Sequence, residues 1–140
     1  MMLMGMYDLH DGGNRSRDER GVEWRWAQWK PDRLVALEAP VEGRVTVVER
    51  ECQGEQLLLN YKTRKEGGWV KVELVESPSS PAAPVKAFDG FGLEEADVLR
   101  GDELARVVTW KGKRDLSTLK GRRVALRIHM ARAQIFSTAL

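Results

Sequence analysis

The sequence is poor in several things that would narrow its chemistry. It has one cysteine, Cys52, in 140 residues, so no intrachain disulfide can form and a disulfide-stapled secreted scaffold is excluded. One cysteine does not fix the compartment. Two histidines, His10 and His129, are too few for a histidine-rich metal site. No apolar run approaches the length of a transmembrane helix, so no membrane partner is expected. The opening MMLMGMY lacks a basic segment and is too short for a signal peptide, so the chain reads as soluble with its localisation open. Neither sign of charge prevails: 23 Lys and Arg face 21 Asp and Glu, which argues against nucleic acid as a partner. There is no P-loop, dinucleotide fingerprint or Ser–His–Asp arrangement. Long amphipathic helices are also missing, which excludes parallel α/β architectures.

What is present is short-period alternation. Val22, Trp24 and Trp26 alternate with polar residues, as in a strand with one buried face. Leu34 to Glu38 reads as a second short strand, and APVEG at 39–43 as a turn. RVTVVE at 44–49 alternates, and QLLLNY at 56–61 is nearly continuous, as in a central strand covered on both faces. KEGG at 65–68 is a turn, followed by the strand WVKVELVE at 69–76. SPSSPAAP then breaks any ladder, because proline lacks the amide donor. Residues 90–102 read as loop. Strands are expected at 105–110, 124–130 and 133–139, with Arg127 and His129 facing outward. The fold class is all-β: an antiparallel β-sandwich of jelly-roll or concanavalin-like lectin type, with one short capped helical turn. Residues 1–21 form an arm, loop-like and mobile, and 22–140 the sandwich domain.

The helical turn is DLSTLKG. Asp115 can act as N-cap, Leu116 and Leu119 share an apolar face, and Gly121 can take the left-handed conformation that ends a helix. Asp115 and Gly121 are therefore read as structural, not catalytic.

The ordered motifs VTWKG, DLSTLKG, VALRI and AQIFSTAL, preceded by GEQLLLNYKTRKEGGWVKVEL and WKPDRLVALEAPVEGRVTVV, resemble a known family. They are similar to the C-terminal β-sandwich of invertase-like β-propeller glycoside hydrolases and their uncharacterised bacterial relatives. The likeness runs over most of residues 22–140. GMYDLHDGGNRSRDERGVEW resembles the last propeller strand and the loop after it, with His10 near the propeller site. The resemblance implies an accessory module without the propeller carboxylates that perform hydrolysis, so no catalytic residue is assigned. Its partners would be carbohydrate or a β-propeller domain.

Two kinds of site remain open. Sugar rings pack their C–H faces on aromatic rings, and Trp69, Trp110 and Trp29 are the candidates for a carbohydrate platform. Trp69 and Trp110 lie beside glycine-rich turns, a rim position; cation–π contact with Lys71 or Lys111 is the structural alternative. Trp24 and Trp26 point the same way and are read as structural. They could serve the core, a neighbouring domain, or a second copy in a homo-oligomer. Glu94, Glu95, Asp97 and Asp102 cluster in one acidic loop. A solvated turn is one reading, and a Ca²⁺ site using Asp97, Asp102 and Asn60 is the other. A weak glycosidase centred on that loop is the third functional reading.

Overall fold

The computed structural model describes residues 2–7, 23–76 and 85–140, with the backbone alone for 2–7, 23–27 and 48. Packing divides the chain into two compact units, Met1–Pro31 and Asp32–Leu140. In the first, β1 (Met2–Tyr7) pairs antiparallel with β2 (Glu23–Gln28). The apolar stretch at the start thus enters a ladder rather than a loop, while residues 8–21 of the expected arm lie outside the described residues. SPSSPAAP likewise lies outside them, at 77–84.

The second unit is built on one sheet of five strands: β3 (Leu37–Glu51), β4 (Leu58–Thr63), β5 (Trp69–Glu76), β6 (Asp102–Val107) and β7 (Arg123–Ala139). All named pairings are antiparallel. At 17 residues, β7 is far longer than a usual strand and organises the rest. β3 follows one of its edges from Glu51↔Arg123 to Leu37↔Ile135. The other edge is shared: β5 covers Val124–Ala131 and β4 covers Ala133–Ala139. Between them Arg132 has φ 45°, and residues 64–68 swing out opposite it. The Arg64 N–H donates to the Arg132 carbonyl at 2.8 Å, and the Gly68 N–H to the Arg64 carbonyl at 3.2 Å. β4 and β5 are therefore two halves of one flank, interrupted where β7 bends.

Several element boundaries differ from the sequence reading. Leu34–Ala36 is not strand, and the strand beginning at Leu37 runs through APVEG. Pro40 and Val41 fall in a register shift between Ala39 and Glu42, so proline's missing donor is absorbed by a bulge on a strand whose one ladder partner among the described residues is β7. The two C-terminal strands are one strand, bent at Arg132. The strand expected at 105–110 begins at Asp102 and ends at Val107.

Val70, Val72 and Leu74 of β5 and Val124, Leu126, Ile128, Met130, Ala133 and Ile135 of β7 point to one face and are buried. Phe88, Phe91, Ala96, Leu99, Val108, Trp110, Leu116 and Leu119 join them in a single core cluster. Much of the cover is thus irregular chain between residues 85 and 122, bridged to the outer edge of β5 at Val70↔Leu99 and Val75↔Ala87. The described chain is all-β apart from a 3₁₀ turn, Ser117–Leu119. No helix among the described residues is long and apolar enough to cross a membrane.

That turn sits one residue later than DLSTLKG suggests. Its N-cap position is Leu116, with no side-chain cap. Asp115 acts just before it, accepting from the Ser117 N–H at 2.9 Å and from the Ser117 hydroxyl at 2.7 Å. Leu116 and Leu119 are buried, and Gly121 has φ 76° with its N–H donating to the Cys52 carbonyl.

Candidate binding face

The face of the sheet opposite the core carries the polar side chains, and strand register fixes their order. Three rungs cross β3, β7 and β5: Glu42–Ala131–Trp69, Arg44–His129–Lys71 and Thr46–Arg127–Glu73. Beyond the bend, a fourth runs Glu38–Gln134–Lys62–Asp102 through β3, β7, β4 and β6. Glu73 is buried at 7% exposure, and burying a carboxylate is costly unless it is paired. One oxygen, Oε1, meets Arg127 at 3.2 Å and His129 Nε2 at 2.9 Å. Lys71 turns to the edge, donating to the Leu93 carbonyl at 3.2 Å.

Two open clefts adjoin at the bend. Glu38, Lys62, Thr63, Ala133 and Gln134 line one of about 270 Å³. Pro40, Val41, Lys65 and Glu66 line the other, of about 440 Å³. Arg64 and Arg132 belong to both. Gly68 makes the loop above them possible, since a Cβ there would lie 2.4 Å from the Arg64 carbonyl oxygen. The Arg132 guanidinium donates to the Glu66 carbonyl at 3.2 Å. Glu38 receives Arg64 at 3.6 Å and the Gln134 amide at 3.3 Å.

The structure separates the sugar-platform candidates. Trp110 is not at a rim. It is 1% exposed, its Nε1 donates to the Val72 carbonyl at 2.8 Å, and its ring meets Phe91 edge-on at 5.2 Å. A glycine-rich turn beside a tryptophan does not make it a surface residue when the turn folds back over the core. Trp69 is half-buried on the outer face, in the rung next to Arg132. Trp29 is half-buried in the first unit. Trp24 and Trp26 oppose Met6 and Met4 in the β1–β2 ladder, and their side chains lie outside the described residues.

The proposed calcium ligands meet other partners. Asn60 Oδ1 accepts from Arg33 at 2.9 Å, and Asp102 pairs with the same guanidinium, which also reaches the Tyr61 and Glu103 carbonyls. That guanidinium stacks 4.5 Å above the Phe136 ring. An internal cation therefore occupies the oxygen-rich place that Asn60 and Asp102 suggest. Asp97 instead accepts from the Thr109 hydroxyl at 2.5 Å and the Gly112 N–H at 2.9 Å. The Thr109 hydroxyl, then the Gly112 amide, hold its carboxyl below the ordinary value. Asp115 is lowered likewise, by the Ser117 hydroxyl and amide. Both carboxylates are tied to turns. Among the described residues, no group of three His, Cys, Asp or Glu side chains is placed to hold a metal ion.

Sequence reading missed Arg33, the Glu73–Arg127–His129 cluster and the clefts at Arg132. Alternation placed Arg127 and His129 outward, but their meeting with Glu73 depends on β5–β7 register. The gap between the two expected C-terminal strands was the one local sign of the bend. Compared with protein-family profiles, with curated proteins and with solved structures, the chain matches none.

Proposed function

We propose that the chain is a non-catalytic accessory module, a β-sandwich of jelly-roll kind that accompanies a glycoside hydrolase and binds carbohydrate weakly through its outer sheet face. The observation that carries this reading is Trp69, half-buried on that face one rung from the clefts at Arg132. An aromatic beside convergent polar groups suits a sugar ring, whose C–H face and hydroxyls need both. A glycan array followed by NMR titration tests it, with Trp69→Ala as control. Binding that weakens in the variant, without hydrolysis of aryl glycosides, is expected. Silence across the whole array, or turnover that disappears with a carboxylate variant, overturns it.

Self-association is the second reading, favoured by the apolar display at residues 34–41. Leu34, Val35, Leu37 and Val41 are 53, 79, 53 and 73% exposed, and exposed apolar side chains this close in sequence suit a contact surface. Pro40 and the bulges of β3 disfavour association by edge-to-edge backbone pairing. Light scattering across a concentration series decides: a monomer throughout removes this reading.

A further inference from the structure

Resting on the carbohydrate-binding reading, we infer that the paired clefts at the β7 bend take an anionic saccharide, a uronic-acid oligosaccharide whose carboxylate is bound by Arg64 and Arg132. The argument begins with donor chemistry. Lys62, Arg64, Lys65 and Arg132 line the clefts, and lysine and arginine side chains donate without accepting. A neutral sugar hydroxyl can accept from such donors, but it brings no charge to meet the cationic excess. A carboxylate accepts at several positions and matches the arginine fork. The acidic residues there do not cancel this surplus: Glu38 offsets Arg64, its partner at 3.6 Å, and Glu66 offsets one more, so four cations face two carboxylates and a positive excess remains.

The backbone at Arg132 adds an independent observation. Its φ of 45° lies in the left-handed region, where glycine or asparagine would sit with less strain. A long cationic side chain stands there nonetheless, fixed by the Glu66 carbonyl and shared by both clefts. The backbone here makes the β7 bend, and that bend sets the Arg132 side chain in the lining of both clefts. Pro40 and Val41 complete the site: Val41, 73% exposed, gives the C–H face of a sugar ring an apolar wall.

The test is calorimetric titration of the whole chain with trigalacturonate, galactotriose and sodium sulfate at matched ionic strength. It is repeated on Arg132→Asn, which suits the left-handed backbone, and on Arg64→Gln, whose side chain is largely exposed. Trigalacturonate is expected to bind at least tenfold more tightly than galactotriose, and each variant to lose at least tenfold. Equal binding of acidic and neutral sugars, unchanged in both variants, overturns this inference and leaves the carbohydrate reading standing. Sulfate binding as tightly as trigalacturonate overturns the saccharide assignment in favour of a simple anion site. Failure of every saccharide here and on the array overturns both readings.

Discussion

Asp97 is held ionised by the Thr109 hydroxyl first and the Gly112 amide second, so its folded pKa lies below the ordinary 3.8. For a carboxyl lowered on folding, the unfolded state binds more protons as acid is added. The stabilisation is present above the ordinary value and disappears as pH falls through the folded pKa. Thr109→Val should therefore lower the melting temperature at neutral pH, with a deficit that shrinks as pH drops below about 4. Melting curves that stay parallel down to acid would contradict this account. Glu73 makes a different case, because it is the shared acceptor of two largely covered donors, Arg127 and His129, at 17 and 18% side-chain exposure. Glu73→Ala leaves both without that oxygen and should cost about 1–3 kcal/mol. Glu73→Gln, which keeps an acceptor, should cost less; urea denaturation of the pair measures the difference.

The excursion at 64–68 and the bend it faces behave as one element. Gly68→Ala would drive a Cβ onto the Arg64 backbone, with the Arg132 carbonyl oxygen at 2.9 Å on another side. It should destabilise by more than about 1 kcal/mol, and hydrogen exchange should show β4 and β5 loosening together. The same element marks the limit of what local sequence tells. WVKVELVE and VALRIHM disclose their strands because a buried face alternates with period two along the chain. DELARV does not, since its first five residues are all exposed and no alternation is imposed. APVEG looks like a turn because proline and glycine serve turns and bulges alike, and only pairing with Ala131 and Ala133 separates the two uses. The site fares similarly. Asn60 and Asp102 stand out as oxygen donors, but the cation they hold is Arg33, 27 and 69 residues away. Trp110 and Trp69 have similar neighbours in sequence and opposite fates in the fold.

At the level of the whole molecule, the core cluster of the described residues lies between Ala39 and Ile135. A fragment of residues 32–140 should therefore keep a single cooperative unfolding transition, as followed by circular dichroism in urea. A fragment that is molten without residues 1–31 would show that the first unit is needed for the fold. Calcium should leave the melting temperature of the intact chain unchanged, because Arg33 pairs with both Asn60 and Asp102; a rise with added Ca²⁺ would support the metal reading. The position of β7 has a consequence in time. β3, β4 and β5 all take it as a hydrogen-bonding partner, and it follows every one of them in the chain. During synthesis these strands leave the ribosome before the residues that join them exist. The sheet cannot close until residue 139 has been added; until then β3 and β5 lack their ladder partner and β4 has β6 alone. The nascent chain should thus depend on holding factors late in translation, and a stall shortly before residue 123 should be the most aggregation-prone point of its synthesis.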